Sequence, residues 1–480
     1  MTTRPQTQTT IGVPGADPRR WRALAVCMVA GFMSLLDISI VNVALPSIRE
    51  GLNASSSQLE WIVAGYALSF GLLLIPAGRL GDARGRRAVF TVGLALFTIA
   101  SALCGLAPSA GWLVALRLVQ GLACGIFLPQ IAALIQSEFH GAERRTAFGI
   151  FGATVSVSTA VGPLLGGLII AVLGAEHGWR GIFWVNVPIG LVAIPLALRL
   201  LPRDHGTHRG ESLDPVGVVL LGAGVLLLLF PLVEGRQAGW PWWTWALLAA
   251  AVPVLATFTL WERRQRRRGQ APVVDITLFR VKSYAAGTGL ATTYFAGFTG
   301  LFFVLTLYLQ IGHGYSALLA GLATIPFALS SAVTSGLSGR VSTRIGQQIL
   351  PLGLLLVLVG FIGVMAAASL ADGPQVGWAL TVPLLVGGAG SGLVIAPNQA
   401  LTLSEVPPAA SGSAAGVLQT GQRVGTSIGI AAVGTAFFAS LGPQGDFAGA
   451  FQHAMWICTA VVAVALGLAV VGERSARRPS

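Results

Sequence analysis

Long apolar runs, separated by short charged or Pro/Gly-containing breaks, follow one another along almost the whole chain. A helix needs roughly 20 mainly apolar residues to cross a hydrocarbon core of about 30 Å, and these runs reach that length. The pattern therefore predicts an all-α polytopic membrane protein with fourteen spans. The predicted spans cover residues 23–45, 59–78, 88–107, 112–136, 147–173, 181–201, 215–234, 243–261, 285–310, 316–338, 348–370, 378–402, 413–440 and 450–472.

The composition agrees with a bilayer as the solvent. Hydrophobic residues make up 54% and charged residues 10% of the 480 residues, which leaves too little polar surface to cover a water-soluble protein of this size. A net charge of +12 would suggest nucleic acid as a partner of a soluble protein. Here the arginines lie between apolar runs, so we expect contact with the lipid bilayer and none with nucleic acid.

The loop charges orient the spans, because cytoplasmic loops of membrane proteins collect Lys and Arg. With a cytoplasmic N-terminus, nearly all of the 30 Lys and Arg residues fall in cytoplasmic segments. The exceptions are Arg49, Arg180 and Arg236 on the outer side and Arg117 and Arg423 inside spans. Since the number of spans is even, both termini are predicted to be cytoplasmic.

A weak internal repeat divides the spans. Gly78-Arg79-Leu80 followed by Gly85 recurs as Gly339-Arg340-Val341 followed by Gly346, and the pair Gly121 and Gly125 in span 4 recurs as Gly388 and Gly392 in span 12. Transporters are often built from paired bundles. We predict two six-helix bundles with two inserted helices. The predicted units are a tail 1–22, an N-terminal bundle 23–201, a linker 202–284 with two additional spans and a basic cytoplasmic loop, a C-terminal bundle 285–472 and a tail 473–480.

Motifs for catalysis or metal binding are not evident. The four cysteines Cys27, Cys104, Cys124 and Cys458 lie in predicted spans without metal-ligand spacing. The letters G-x-S-x-G at residues 425–429 fall in the middle of a span, whereas a nucleophile elbow needs a strand-to-helix turn. We therefore expect no enzyme, no catalytic residue, no metal and no cofactor.

Asp37 is the only acidic residue well inside a predicted span, and Arg117 lies inside span 4. A charge at this depth costs several kcal/mol unless it is paired, hydrated or protonated. At about 1.5 Å per residue, Asp37 lies roughly 12 Å and Arg117 roughly 8 Å below the outer ends of their spans, so they can meet. Two interpretations stay open. Asp37 loads and releases a proton while Arg117 stabilises its ionised form, which we favour, or a fixed ion pair joins two helices.

The segment between spans 2 and 3 reads GRLGDARGRR from Gly78 to Arg87. With LDISIVNVALP in span 1, RLVQGLACG in span 4, GPLLGG in span 5 and WRGIFWVNVPIG at span 6, it resembles the fourteen-helix drug/proton antiporters of the major facilitator superfamily, from about residue 20 to 472. The resemblance implies the major facilitator fold and alternating access. It also implies export of small amphiphilic drugs or antibiotics, driven by a proton gradient, by a monomer in the inner (plasma) membrane of a bacterium.

The resemblance makes the loop after span 2 a cytoplasmic gate. Asp82 can accept hydrogen bonds from basic groups or from N–H groups at a nearby helix start. Anchoring by basic residues alone would not explain the Gly/Asp spacing. Thr343 stands at the place of Asp82 in the second copy, so we expect a weaker or differently wired gate there. The predicted gate residues are Gly78, Asp82, Arg84, Gly85 and Arg86.

In span 5, proline removes a backbone donor and glycines permit close helix contact, which predicts a bend at a packed seam. The residues are Gly162, Pro163, Gly166 and Gly167. The resemblance associates them with antiport, although an ordinary kinked packing helix explains them nearly as well. Export therefore depends mainly on the resemblance, and an uptake carrier of the same fold and a non-transport receptor or scaffold are the alternatives.

Polar side chains in apolar spans are candidates for substrate binding. Gln419 and Arg423 share a helix face, and Arg423 could bind an anionic or polar substrate or bond to carbonyls of a neighbouring helix. No acidic residue lies at depth in the C-terminal spans, so a neutral, weakly charged or monocationic amphiphile fits better than a dication. The candidates are Asn42, Gln120, Tyr308, Asn398, Gln419 and Arg423.

Overall fold

Helices account for all regular structure in the part of the chain that the computed structural model describes. It describes residues 19–174, 177–203, 214–235, 238–270, 272–371, 373–407, 410–441 and 446–477. Within this part, 14 helices are long and apolar enough to cross a membrane, and they correspond one to one with the predicted spans. The predicted all-α polytopic fold is thus confirmed.

The fourteen spans keep their numbers from the sequence. Their helices are span 1 Arg20–Leu52, span 2 Ser56–Arg84, span 3 Arg86–Gly105, span 4 Ala110–Glu138, span 5 Gly141–Leu173, span 6 Gly178–Trp184 with Asn186–Leu200, span 7 Pro215–Glu234, span 8 Trp242–Arg267, span 9 Lys282–Leu307 with the π-helical turn Tyr308–Gly312, span 10 Ala317–Ile345, span 11 Ile349–Leu370, span 12 Thr381–Thr402, span 13 Ser411–Leu441 and span 14 Phe447–Arg477. Short helical turns at Ile276–Arg280, Gly346–Gln348, Gly373–Gln375 and Val376–Ala379 lie between spans.

Several helices run past the apolar segment that identified them. Span 1 has 33 residues, ends at Leu52 and is capped by Asn53, whose left-handed φ of 49° lets the next N–H, that of Ala54, bond to the Arg49 carbonyl at 3.1 Å. Helical hydrogen bonding continues outside the hydrocarbon layer, so hydropathy marks the embedded part and not the whole helix. Span 6 is divided at Val185. Pro188 has no N–H for the Trp184 carbonyl one turn earlier, which accounts for the break.

The packing of the first six spans recurs eight spans later. Span 4 packs against spans 2 and 3, and span 12 packs against spans 10 and 11. Span 1 packs against span 5, and span 9 packs against span 13. This correspondence places two similar helical halves side by side, spans 1–6 and spans 9–14.

The two halves meet along two pairs of helices. Span 5 lies against span 10, and span 2 lies against span 13. Spans 7 and 8 pack on each other, and span 7 also contacts spans 2 and 13. Leu68 on span 2, Leu221 and Leu229 on span 7 and Phe258 on span 8 share one apolar cluster. The inserted pair therefore covers one side of the seam between the halves.

Glycines at corresponding positions of the two halves allow close helix contacts. A Cβ on Gly121 of span 4 would lie 2.4 Å from the Tyr66 carbonyl oxygen on span 2, and one on Gly388 of span 12 would lie 2.2 Å from the Phe327 carbonyl oxygen on span 10. No side chain fits at such distances. The glycine pairs that recur in the sequence thus serve the same helix contact in each half.

Replacing Gly121 by Val should destabilise the first half, because the added side chain must push span 2 away at a cost of about 1–3 kcal/mol or more. We expect a lower melting temperature of the purified protein in detergent, measured by size-exclusion chromatography after heating. Gly467→Val on span 14 is the control, since a Cβ there meets nothing within 4 Å. Equal melting temperatures for the two variants would contradict this role of Gly121.

The loop charges predict cytoplasmic termini, which alkaline phosphatase fusions can test because the enzyme is active only outside the cytoplasm. A fusion after residue 240, between spans 7 and 8, should be active. A fusion after residue 270, between spans 8 and 9, should be inactive. The reverse pattern would contradict the predicted orientation.

Candidate functional site

Asp37 and Arg117 form a buried ion pair between spans 1 and 4. Arg117 Nη1 lies 2.5 Å from Asp37 Oδ2, and both side chains are buried. The other carboxylate oxygen, Oδ1, accepts from Gln120 Nε2 at 3.1 Å and from Asn186 Nδ2 at 3.0 Å. Three N–H donors from spans 4 and 6 therefore surround this carboxylate and bond to both of its oxygens.

Arg117 is held in place from several sides. Its Nε donates to the Ile62 carbonyl at 3.0 Å, and its Nη1 also donates to Gln120 Oε1 at 2.8 Å. The guanidinium carbon lies 4.1 Å from the centroid of the Tyr66 ring. Hydrogen bonds, an opposite charge and an aromatic face thus stabilise a cation that the bilayer would otherwise exclude.

Asn186 and Ser101 also belong to this cluster, although the sequence pattern did not predict them. Asn186 Nδ2 also donates to Ser101 Oγ at 3.0 Å, and Ser101 Oγ donates to the Phe183 carbonyl at 2.8 Å. Both side chains are buried. Asn186 is a lone amide inside an apolar span and stands in the quoted segment WRGIFWVNVPIG, which is the signal that could have identified it.

Asp37 is the one carboxylate in the cluster of Asp37, Arg117, Gln120 and Asn186. Protonation would remove the charge that attracts Arg117 and would turn one carboxylate oxygen from an acceptor into a donor. The Asp37 side chain is fully enclosed between spans 1, 4 and 6.

A second charged cluster joins the two halves. Asp82, at the end of span 2, accepts from the backbone N–H groups of Gly412 at 3.1 Å and of Ser413 at 3.0 Å. Arg86 Nη2 lies 3.1 Å from Asp82 Oδ1 and donates to Ser411 Oγ at 2.9 Å. A carboxylate at a helix N-terminus satisfies free N–H groups and the helix dipole. We call Asp82, Arg86 and residues 411–413 the latch.

Glycines let the backbones of the two halves touch at the latch. A Cβ on Gly78 would lie 2.2 Å from the Gly412 carbonyl oxygen, so a side chain at residue 78 would separate the helices. Gly85 turns the chain between spans 2 and 3 with φ of 100°, a conformation that L side chains rarely adopt. Arg84 is exposed in the last turn of span 2 and takes no part in the described latch contacts.

The second copy of the loop, after span 10, makes contacts that differ from those of the latch, as expected. Gly339 approaches the start of span 5, where an added Cβ would lie 3.1 Å from the Thr146 nitrogen. Thr343 Oγ1 donates to the Arg340 carbonyl of its own helix at 2.6 Å. Thr343 thus does not cap a helix of the other half in the way that Asp82 does.

The glycines of span 5 pack against the turn of span 1 that follows Asp37. Added Cβ atoms would lie 1.9 Å from Ser39 Oγ at Gly162 and 2.9 Å from Ile40 Cγ1 at Gly166. Gly167 is partly buried, and the Pro163 side chain lies outside the described part of the structure. Span 5 is one helix, Gly141–Leu173, in close contact with the segment that carries the ion pair.

The predicted substrate residues do not form one group. Gln120 belongs to the Asp37 cluster. Tyr308 donates its hydroxyl to the Ala368 carbonyl at 3.0 Å, and Asn398 Nδ2 donates to the Gly287 carbonyl at 3.0 Å, so both contribute to packing within the second half. The side chain of Asn42 lies outside the described residues.

Gln419 and Arg423 stand apart from these. They lie one turn apart on span 13, and the Arg423 guanidinium carbon is 4.6 Å from the centroid of the Phe70 ring on span 2. This contact crosses from one half to the other. Within the described residues, no group of three or more His, Cys, Asp or Glu side chains could hold a metal ion.

Two repeated helical halves, a latch between them and a buried ion pair inside one of them define a multi-pass membrane transporter. Comparison with known families agrees, since the model described as Major Facilitator Superfamily matches residues 27–215 and 214–430. The chain belongs to the major facilitator superfamily. It is accordingly a transporter of small molecules and not an enzyme.

Relatives of the chain carry names from antibiotic export and resistance. It is 38% identical over 427 residues to a probable actinorhodin transporter of Streptomyces coelicolor, covering 89% of this chain and 74% of the relative. It is 34% identical over 431 residues to a tetracenomycin C resistance and export protein of Streptomyces glaucescens, covering 89% and 78%. It is 33% identical over 413 residues to the multidrug resistance protein Stp of Mycobacterium tuberculosis, covering 85% and 74%.

Solved structures share the fold at low sequence identity. The human organic anion transporter TETRAN superposes with a TM-score of 0.70 at 16% identity, covering 94% of this chain and 100% of that chain. The proton:xylose symporter XylE superposes with a TM-score of 0.66 at 15% identity, covering 94% and 95%. Both likenesses establish the architecture.

Replacing Asp82 by Asn should loosen the latch, because the amide keeps an acceptor but loses the charge at the start of span 13. Such helix-terminus interactions are worth about 0.3–2 kcal/mol, so hydrogen exchange in residues 411–418 should become roughly two- to thirty-fold faster. Hydrogen–deuterium exchange with mass spectrometry measures this.

Asp446→Asn provides the matched control for the latch. Asp446 also accepts from a helix N-terminus, the Gly449 N–H at 2.8 Å, but within the second half. Faster exchange should then be confined to the start of span 14. If Asp82→Asn leaves residues 411–418 unchanged, the latch does not hold span 13.

Proposed function

We propose that this chain is a proton-coupled antiporter that exports small amphiphilic drugs or antibiotics from the cytoplasm by alternating access. The observation that carries the proposal is the enclosed Asp37 carboxylate with its three N–H donors. A carboxylate buried in a membrane span is costly, and a purely structural contact would not need an ionisable group. The export and resistance functions named for two of the relatives support the direction.

The packing around Asp37 supplies a route from protonation to movement of the halves. Two residues after Asp37, Ser39 Oγ donates to the Ser158 carbonyl of span 5 at 3.2 Å. Span 5 in turn contacts span 10 of the other half through Ser156 and Ser331, whose hydroxyls lie 2.9 Å apart, and through Ser335 Oγ, which donates to the Gly149 carbonyl at 3.0 Å. A shift of span 1 on protonation of Asp37 therefore displaces span 5 and, with it, the contact between spans 5 and 10 of the two halves.

The latch supports alternating access. It closes the arginine-rich side of the seam between spans 2 and 13, so this side opens only when Asp82 leaves the start of span 13. In the proposed cycle, a proton enters the Asp37 cluster from outside, spans 1 and 5 shift, and the latch opens toward the cytoplasm. Binding of the substrate and release of the proton from Asp37 then favour the return of Asp82 to the start of span 13, which closes the latch again.

The protein works as a monomer in the inner (plasma) membrane of a bacterium, with the proton gradient as its energy source and no cofactor. Its substrate is an amphiphile that is neutral, weakly charged or monocationic. An uptake carrier with the same fold is the alternative, and XylE, a symporter, has this architecture too.

Asp37→Asn should abolish proton-coupled export, because the amide cannot release a proton at this site. The measurement is a drug accumulation and susceptibility panel in a bacterium that lacks its own efflux pumps. Wild type should lower accumulation and raise the inhibitory concentration severalfold for some compounds, whereas the variant should behave like the empty vector at equal amounts in the membrane.

Glu143→Gln is the control, since Glu143 is a half-exposed carboxylate that pairs with Arg20 at 2.8 Å. It should export like wild type. Retained proton-coupled export by Asp37→Asn would refute the role of Asp37. Higher accumulation in cells that carry the wild-type protein would instead establish uptake.

A further inference from the structure

Arg423 brings a positive charge into the middle of span 13 without an acidic partner among the described residues. The titratable groups that influence it are Tyr66 and Cys124, and neither is ordinarily charged at neutral pH. Arg117 also lies inside a span, span 4, but it has Asp37 as its counter-ion. A cation inside a membrane protein normally pairs, so the difference between the two arginines needs an explanation.

Further polar atoms without hydrogen bonds lie beside Arg423. Gln419, one helical turn earlier on the same face, is 5% exposed, and neither its Nε2 nor its Oε1 has a partner among the described residues. The Nε of Arg423 likewise has none. Each buried polar group left without a partner costs about 1–3 kcal/mol. Several such groups on one face indicate a site that a ligand completes.

Aromatic rings from the other half form one wall of this site. The Phe70 ring lies 4.6 Å from the Arg423 guanidinium carbon, and the Phe70 and Tyr66 centroids are 6.2 Å apart. Tyr66 in turn lies under Arg117 at 4.1 Å. The two aromatic rings thus stand between a neutralised arginine and one without a counter-ion. A negatively charged group placed at the second arginine would be stabilised by it.

We propose that Arg423 and Gln419 bind the acidic group, a carboxylate or phenolate, of an amphiphilic substrate whose apolar body packs along Phe70. The planar guanidinium offers two parallel N–H donors to such a group, and the Gln419 amide offers a third. The use of this site in transport rests on the proposed export function, and it selects weak acids from the weakly charged amphiphiles named there. Because Phe70 and Arg423 belong to different halves, the bound acid contacts both.

Binding to the purified protein in lipid nanodiscs tests the site without any transport. The probes are aromatic carboxylates of two to four fused rings, including anthracene-9-carboxylate, each compared with its own carboxamide by calorimetry. Wild type should bind at least one carboxylate about tenfold more tightly than its carboxamide, a difference of about 1.4 kcal/mol. Arg423→Gln should remove this preference.

Further variants separate the site from general stability. Arg199→Gln changes an exposed arginine and should keep the preference. Arg423→Lys keeps the charge but not the planar pair of donors, so it should keep only part of the preference, and it replaces Arg423→Gln as the test if the latter does not fold. Gln419→Leu should weaken carboxylate binding severalfold.

The outcomes are distinct from those of the export experiment. Equal binding of carboxylates and carboxamides, binding of no carboxylate, or a preference that survives both Arg423 substitutions would overturn the assignment, and Arg423 would then only join spans 13 and 2 through Phe70. If carboxylates bind as expected but no compound is exported, the export proposal fails and the binding site stands. If export occurs without preference for acids, only the acid site fails.

Discussion

A charge in the interior of a membrane span must find its counter-charge and hydrogen bonds within the protein, and this constraint organises the functional part of the molecule. Asp37 obtains three N–H donors from spans 4 and 6, which ties three helices of the first half together around one carboxylate. Arg423 has no such counter-charge among the described residues. One charge is thus satisfied by the fold, and the other is available to a ligand.

The same electrostatic requirement operates where the halves meet. The first N–H groups of span 13 have no partner within their helix, and Asp82 of the other half supplies the acceptor and the negative charge. Close backbone contact at Gly78 and Gly412 brings the groups within reach. Because these bonds connect separate halves through a few atoms, they can be broken as a unit when the halves move.

Much of the fold was predictable from the sequence, and less of the site. The fourteen spans and the family were correctly predicted, and the contact between Asp37 and Arg117 agrees with their similar depth. Asn186 and Ser101 were not foreseen, and Arg84 takes no part in the latch contacts, although it stands in the same loop as Asp82. Tyr308 and Asn398 have suitable polarity but bond within the second half.

The sequence by itself determined which segments lie in lipid, since each span must be apolar whatever its neighbours are, and it identified the charges that this environment makes costly. Only the tertiary structure decided which of those charges meet. Depth along a helix follows from residue number, but contact also depends on the rotation of each helix and on which helices are neighbours. That is why Arg117 and Arg423, both arginines in apolar spans, differ in having and lacking a carboxylate beside them.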